Sequence, residues 1–276
     1  MHRFYLPPQQ LHSEYVSLPE PLAHQVRNVL RMRVGESLTL FDGEGIEYDA
    51  VITDVRRDGV TVQLGDPRPC RGEPRLHLTL FHSLLKKDRF EWALEKGAEL
   101  GISRFVPLHT ARVIADGASE VKRARWQRVV IEAAELAGRG ILPPIDEIHT
   151  LPQAFARLHA FDLALFAWEE ASGYTLRDAV RDYRAIYGDS VPRVALFIGA
   201  EGGFTPEEAE SARAAGCKIV TLGERVMRAE TASLAAAAAL LDAHAVDLIM
   251  SDVLMPGLTG PEMIAALDPR HADAAV

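Results

Sequence analysis

The sequence has few cysteines and no long hydrophobic run, and both absences narrow the class of protein. Its 276 residues include only 2 cysteines, Cys70 and Cys217, and these form no metal-binding or redox motif. No run of about 18 apolar residues occurs, so no membrane-spanning helix is expected. The N-terminal residues MHRFYLPPQQ lack the apolar stretch of a secretory signal. We therefore expect a reduced, cytoplasmic protein with no metal site and no membrane partner.

Positive charge is also scarce. The chain carries 30 Lys and Arg against 39 Asp and Glu, a net charge of −9, which disfavours binding to nucleic-acid phosphates. The basic residues nevertheless concentrate in the first half of the chain, at 27–33, 86–89 and 122–128. This asymmetry is compatible with an RNA-facing surface and equally with ordinary solvated faces.

Two patterns divide the chain into regions. Residues 1–70 alternate apolar and polar side chains like short β-strands, with a short helix at Pro21–Met32, which favours a compact barrel. A segment rich in proline and glycine, 65–74, is typical of a linker. After it, short apolar strands alternate with amphipathic helices, which predicts an α/β fold with a mostly parallel sheet covered by helices on both faces.

Two neighbouring strands of that predicted sheet each end in a loop that contains glycine. The strand 194–198 runs into Gly199–Gly203 and then a helix with a capping box at Thr205 and Glu208. The strand 218–222 runs into a loop at 223–228. Because ligands bind beyond the carboxyl ends of parallel strands, two such loops favour a cofactor pocket. Either loop could instead be a tight turn without a ligand, and neither has a nucleotide phosphate motif.

The residues of these two loops carry a family resemblance. IGAEGG at 198–203 and LGERVMRAETA at 222–232 resemble the signature of the bacterial 16S ribosomal RNA uracil-N3-methyltransferases, in the knotted SPOUT class. Blocks at 24–35, 40–43, 95–101 and 134–139 are similar as well, so the resemblance covers residues 1 to about 245 in order. The chain departs from the family pattern at Leu136, Ala200, Met227 and Ala229. Where this chain has Ala200 the family usually has proline, whose loss is expected to loosen the loop and weaken cofactor affinity slightly.

The resemblance implies a domain plan, a cofactor and an assembly. It implies a PUA-like RNA-binding β-barrel at 1–70, a trefoil-knotted methyltransferase domain at 75–245, and a homodimer. The cofactor is S-adenosyl-L-methionine, bound by residues of three knot loops. These residues are Phe166, Trp168, Glu169, Ile198, Gly199, Ala200, Glu201, Gly202, Gly203, Leu222, Gly223, Val226, Met227, Arg228, Thr231 and Ala232.

The implied reaction is methylation of N3 of a uridine in 16S ribosomal RNA of the 30S subunit. N3 carries a proton at neutral pH, so a group must take that proton or stabilise the resulting anion. Arg228 is the candidate for stabilising the uracil oxygens or a nearby phosphate. Glu201 or Glu230 is the candidate base, although either carboxylate could instead fix loop structure. The expected RNA-binding residues are Arg3, Arg27, Arg31, Arg33, Lys86, Arg112 and Arg139.

The last residues do not match the family. Residues 246–276 resemble the central strand and phosphoacceptor loop of a response-regulator receiver domain, with Asp252 in the place of the phosphorylated aspartate. The segment is too short for that fold, so we interpret it as an appended fragment and predict no phosphorylation. Two alternative functions stay open: an RNA-binding module of the same fold without catalysis, and a signalling protein that uses the tail.

Overall fold

The computed structural model describes residues 2–114, 117–188 and 190–242, which form two compact units. The first unit contains the described residues up to 73 together with 131–142. The second contains 74–130 and the described residues from 143 onward. The receiver-like segment 246–276, including Asp252, lies outside the described residues.

The first unit is built on a five-stranded sheet. Its strands are β1 (Arg3–Tyr5), β2 (Tyr15–Ser17), β3 (Ser37–Phe41), β4 (Ile46–Arg56) and β5 (Gly59–Pro69), in the order β1-β3-β4-β5-β2. The strands β4 and β5 form an antiparallel hairpin that closes between Arg56 and Gly59. Alternate residues of the central strands form the core, among them Leu38, Leu40, Ala50, Ile52, Val60 and Val62.

The predicted helix of the first unit is shorter and less regular than expected. It consists of α1 (Glu20–His24) followed by a π-helical segment, Gln25–Val29. The segment ends in a wide turn, in which the backbone N–H of Met32 donates to the carbonyl of Val26 at 3.0 Å. Within that turn Arg31 has a φ of 55°, a left-handed conformation that is uncommon outside glycine.

Residues 131–142 are part of the first unit, although the sequence placed them in the second domain. The carboxylate of Glu135 accepts a hydrogen bond from the backbone N–H of Tyr5 at 2.9 Å. Burial raises the pKa of Glu135. Arg139 forms an ion pair of 2.9 Å with Glu73, and its side chain is almost completely buried. These polar contacts attach residues 131–142 to the N-terminal part of the chain within the first unit.

The second unit is a six-stranded sheet in which every pair of neighbouring strands is parallel, as predicted. Its strands are β6 (His77–Ser83), β7 (Arg104–His109), β8 (His149–Thr150), β9 (Leu163–Ala167), β10 (Arg193–Ile198) and β11 (Lys218–Val220), in the order β11-β9-β10-β6-β7-β8. The helices are α2 (Arg89–Leu100), α3 (Glu120–Ala137), α4 (Leu151–Phe155), α5 (Leu176–Tyr187), α6 (Pro206–Ala214) and α7 (Ala229–Asp242). The last residues of α3 are counted with the first unit. The trefoil knot stays a prediction from the family resemblance.

The strand β9 and, after Arg193, the strand β10 are apolar at every position because both faces of the sheet are covered. The rings of Phe81 and Phe197 stack with centroids 4.4 Å apart, and those of Phe166 and Phe204 lie 4.0 Å apart. Parallel pairing places the carboxyl ends of β6, β7, β9 and β10 at the same sheet edge. The loops that follow these strands therefore meet there.

Candidate cofactor site

A cleft lies at the carboxyl edge of the parallel sheet, with an empty volume of about 770 Å³ that is partly open to solvent. Three loops form its walls: the residues after β9, the glycine loop after β10, and the segment between β11 and α7. The lining residues are 167–169, 198–201, 203, 221–227, 229 and 232.

Most of the predicted cofactor-binding residues line this cleft. They are Trp168, Glu169, Ile198, Gly199, Ala200, Glu201, Gly203, Leu222, Gly223, Val226, Met227 and Ala232. Four predicted residues, Phe166, Gly202, Arg228 and Thr231, are not among the lining residues. The cleft adds Ala167, Thr221, Glu224, Arg225 and Ala229, which the sequence did not single out. Glu224, Arg225 and Ala229 lie within the second motif and Thr221 directly precedes it, whereas Ala167 is next to the predicted Trp168.

The glycine loop is folded so tightly that two of its positions have no room for a side chain. A Cβ atom on Gly199 would lie 2.9 Å from the carbonyl carbon of Gly203. Gly203 has a φ of 67°, and a Cβ atom there would lie 1.8 Å from a carboxylate oxygen of Glu169. The backbone N–H of Gly203 closes the turn by donating to the carbonyl of Ala200 at 2.9 Å. Glycine is therefore required by the loop itself.

The loop after β7 is attached to the start of α6. The capping box predicted from sequence is present: Glu208 accepts from the backbone N–H of Thr205 at 2.9 Å, and the Thr205 hydroxyl accepts from that of Glu208 at 3.2 Å. The same Glu208 carboxylate also accepts from the backbone N–H of Ala111 at 2.8 Å. One acidic residue thus caps a helix and holds a neighbouring loop.

Arg112 lies directly on the glycine loop. Its Nη1 donates to the carbonyl of Gly202 at 2.5 Å and lies 3.8 Å from a carboxylate oxygen of Glu169. From the other wall, the indole N–H of Trp168 donates to the carbonyl of Phe204 at 3.3 Å. The loop after β10, which lacks the family's proline at Ala200, is therefore held by side chains from two neighbouring loops.

Glu201 and Glu230, the two candidate bases predicted from the sequence, both have carboxylates close to the first residue of α2. Glu201 accepts from the backbone N–H of Lys86 at 2.9 Å. The Arg89 guanidinium lies 3.7 Å from an oxygen of Glu201 and 3.7 Å from an oxygen of Glu230. Sequence reasoning missed Arg89 as a site residue, and the only signal for it was its place in the basic cluster 86–89.

His82 lies beneath these carboxylates and is buried. Its Nδ1 is 2.7 Å from the carbonyl oxygen of Ser83, and it pairs in register with Ile198 at the end of β10. Burial lowers the pKa of His82 to about 4, against the opposing influence of the charges of Glu230 and Glu201. Within the described part of the chain, His82 Nε2 and Glu230 Oε2 are buried without hydrogen-bond partners.

Arg228 lies in the sequence between the cleft-lining residues Met227 and Ala229, and its own side chain is exposed. Its carbonyl accepts from the backbone N–H of Ala232 at 2.8 Å, so the residue begins the first turn of α7. No ion pair to Arg228 occurs among the described residues. Its guanidinium is therefore available to a ligand at the mouth of the cleft.

The predicted RNA-binding residues differ in how available their side chains are. Arg3 pairs with Glu47 and lies over the ring of Phe41, 4.4 Å from its centroid. Arg139 is likewise engaged within the first unit by its ion pair to Glu73. Arg27 donates to the carbonyl of Arg56 at 2.9 Å. The side chains that remain exposed are Arg31, Arg33 and Lys86, with Arg112 half-exposed on the glycine loop.

Comparison with known proteins places these features in a family. Residues 72–241 match the family model of an RNA methyltransferase domain, and residues 23–65 match that of an RNA methyltransferase PUA domain. Ribosomal RNA small subunit methyltransferase E of Bacillus subtilis is 30% identical over 79% of this chain and 86% of its own length. The protein of that name from Synechocystis is 32% identical over 86% of this chain and 76% of its own length.

Solved structures agree with these relatives. A ribosomal RNA small subunit methyltransferase E from Neisseria gonorrhoeae, crystallised with S-adenosyl methionine, superposes with a TM-score of 0.76 at 33% identity, covering 88% of this chain and 97% of that one. A Legionella pneumophila protein solved in complex with the same cofactor gives a TM-score of 0.77 at 33% identity, covering 87% and 97%.

A parallel α/β unit with this cleft, joined to a PUA domain, defines an RNA methyltransferase that uses S-adenosylmethionine. Within that class, the chain belongs to the ribosomal RNA small subunit methyltransferase E family. The predicted family, fold class, enzyme class and cofactor are therefore confirmed. Over the described ranges, no helix is both long and apolar enough to cross a membrane. The same ranges contain no cluster of three or more His, Cys, Asp or Glu side chains placed to hold a metal.

Proposed function

We propose that the protein methylates N3 of a uridine in 16S ribosomal RNA of the small subunit, in the cytoplasm and as a homodimer. The observation that carries this proposal is the cleft of three loops in a chain 33% identical to a gonococcal relative crystallised with S-adenosyl methionine. A globular chain of this family with exposed basic residues in its PUA unit also suits an RNA substrate.

The cleft fits the cofactor in shape and charge. Gly199 and Gly203 let the backbone approach a ligand closely, and Ile198, Val226 and Met227 offer apolar surface. Glu169, Glu201 and Glu224 line the cleft with negative charge, which suits a positively charged sulfonium. When bound, S-adenosylmethionine supplies an activated methyl group. Phe166, Gly202, Arg228 and Thr231 would support the cofactor from behind or beside the lining residues.

The uracil N3 proton must leave before or during methyl transfer, and two acidic residues are candidates to accept it. Glu201 lines the cleft and its side chain is 28% exposed, whereas the side chain of Glu230 is only 10% exposed. A general base must come within hydrogen-bond distance of the proton it removes. The geometry therefore favours Glu201 as the base, with Glu230 supporting it. Arg228 would stabilise the developing negative charge on the uracil oxygens.

The RNA is expected to contact the exposed basic residues rather than the buried ones. Arg31 and Arg33 form the exposed part of the first unit's basic cluster, whereas the Arg27 guanidinium donates to the carbonyl of Arg56. Lys86 provides a further exposed cation in the second unit. Arg3 and Arg139 are assigned a structural role, because their guanidinium groups are committed to internal ion pairs. Arg112 is assigned to the glycine loop, because its guanidinium donates to the carbonyl of Gly202.

The proposal is tested by nucleoside mass spectrometry. Small subunits from a strain that lacks the gene are incubated with purified protein and cofactor, and their RNA is digested. We expect 3-methyluridine to appear in the digest. Mass spectrometry of isolated RNA fragments should place it at one position. RNA binding without any methylated uridine would instead identify a non-catalytic module, and a methyl group on another atom would overturn the assignment of N3. Sedimentation of the protein alone tests the homodimer.

Arg228→Ala should remove nearly all methylation, because its guanidinium is the group proposed to stabilise the uracil oxygens. Removing one such electrostatic group typically lowers kcat by about 100- to 1,000-fold. The variant should stay folded, since Arg228 is exposed and makes no ion pair with the described residues. Arg177→Ala, an exposed arginine on α5 that does not line the cleft, is the matched control. Near-normal turnover by Arg228→Ala would remove this residue from the mechanism.

A further inference from the structure

We propose that Arg89 is a positioning residue for methyl transfer, which holds Glu201 and Glu230 together beneath the cofactor cleft. This inference rests on the function proposed above and deepens it. The three residues come from three different segments: the first residue of α2, the glycine loop after β10, and the start of α7. None of these segments is adjacent to another in the sequence.

Arg89 connects the two carboxylates through different nitrogen atoms. Its Nη1 lies 3.7 Å from Glu201 Oε1, and its Nε lies 3.7 Å from Glu230 Oε1. Both distances are those of ion pairs, and the extended guanidinium lets one side chain contact two carboxylates, which the compact ammonium of lysine does poorly. The backbone supports the same arrangement, because Glu201 Oε1 also accepts from the N–H of Lys86 and α2 packs against α7.

The negative charge of Glu201 and Glu230 requires a cation between them. Two carboxylates lie close to one guanidinium, and Glu230 Oε2 is buried without a hydrogen-bond partner in the described ranges. His82 faces the same cluster but is neutral, since burial lowers its pKa to about 4. Removing Arg89 would therefore leave two acidic side chains without their shared cation, and they would repel each other. The carboxylate that lines the cleft, Glu201, would then lose its fixed position.

The first experiment separates positioning from cofactor or RNA binding. Arg89→Met should lower kcat by about tenfold or more, because small displacements of catalytic groups cost up to about 100-fold. The Kd for S-adenosylmethionine and the KM for RNA should each change by less than about threefold. Arg89→Lys, which keeps the charge but not the bridge, should recover part of the lost kcat. A rise in the KM for RNA with unchanged kcat would overturn the inference and make Arg89 a phosphate contact.

Two further variants control for loss of an ion pair and for folding. Arg125→Met removes the 2.7 Å ion pair between Arg125 of α3 and Glu91, which lies on α2 with Arg89, and should leave kcat unchanged. In Glu230→Gln/Arg89→Met the excess negative charge is relieved, so this variant folds even where Arg89→Met does not. Because Arg89 also contacts Glu201 directly, the kcat of this variant should still lie about tenfold below that of Glu230→Gln alone. A kcat equal to that of Glu230→Gln would show that Arg89 does not position Glu201.

Hydrogen exchange tests the same inference without any RNA. In Arg89→Met, the amides of residues 199–204 and 229–232 should exchange faster than in the wild type, while those of α5 should not. Unchanged exchange in both segments would overturn the positioning role. If wild-type protein forms no methyluridine but these amides respond, the proposed function has failed and the positioning role of Arg89 stands.

Discussion

His82 shows how one buried side chain creates a pH dependence. It is buried at the carboxyl end of β6, where its Nδ1 lies 2.7 Å from the carbonyl oxygen of Ser83. Burial disfavours the imidazolium, so the pKa is lowered to about 4 in the folded protein. The unfolded chain, with an ordinary histidine pKa of about 6.5, binds the proton more readily.

The free energy of unfolding should therefore fall as the pH drops from about 6.5 towards 4, because the unfolded state takes up a proton that the folded state refuses. One such group contributes a slope of at most about 1.4 kcal/mol per pH unit. His82→Gln should lose this component, as measured by urea unfolding between pH 7.5 and 5. Above pH 6.5 the two proteins should show parallel behaviour. Equal slopes throughout would contradict the prediction.

At the same scale, arginine residues of similar sequence context have different roles. Arg3 and Arg139 form internal ion pairs, Arg112 lies on the glycine loop, and Arg89 bridges two carboxylates. In the sequence each of these residues is one more positive charge near a motif. Their partners are separated from them by tens of residues, so the pattern around each arginine contains no trace of the pairing.

At the scale of elements, the glycine loop between β10 and α6 combines a tight fold with contacts to its neighbours. Its turn, the capping box at Thr205 and the left-handed Gly203 are local features, and the sequence predicts the loop and the cap correctly. The ties to Arg112 and Trp168 come from other loops. These ties hold the loop that contains Ala200 from two neighbouring loops.

Gly203→Ala should damage the cleft beyond the cost of its backbone conformation. The new Cβ would meet the Glu169 carboxylate at 1.8 Å, at a φ of 67° that costs roughly 1 kcal/mol or more for alanine. We expect the affinity for S-adenosylmethionine, measured by calorimetry, to fall about tenfold or more, which corresponds to about 1.4 kcal/mol. Gly216→Ala is the matched control, since Gly216 has a φ of 98° but open space around it. Equal cofactor affinity in both variants would contradict the explanation.

At the scale of the whole molecule, the net charge of −9 conceals a local basic surface. The exposed members of the N-terminal cluster, Arg31 and Arg33, follow the π-helical segment Gln25–Val29. Both arginines lie in the segment 23–65, which matches the family model of an RNA methyltransferase PUA domain. The RNA contacts proposed at Arg31 and Arg33 therefore lie in a different unit from the cofactor cleft.

Replacing Arg31 and Arg33 with alanine should weaken RNA binding and reduce its dependence on salt. Each lost phosphate contact lowers the slope of log K against log salt by about 0.7 to 0.9, so the double variant should lose about 1.4 to 1.8. Filter binding across a range of salt concentrations measures this slope. Arg181 and Arg213, which are exposed on α5 and α6, provide the control double variant. An unchanged slope in Arg31→Ala/Arg33→Ala would exclude this surface.

The sequence by itself determined the features that depend on near neighbours: the alternation of strands and helices, the glycine loops, the capping box, and the motifs that identify the family. Tertiary structure alone decided which side chains meet. It joined Arg89 to Glu201 and Glu230, buried His82 below them, and attached residues 131–142 to the first unit. The physical reason is range. Backbone propensity and periodicity act over a few residues, whereas burial and charge pairing depend on contacts between segments far apart in the chain.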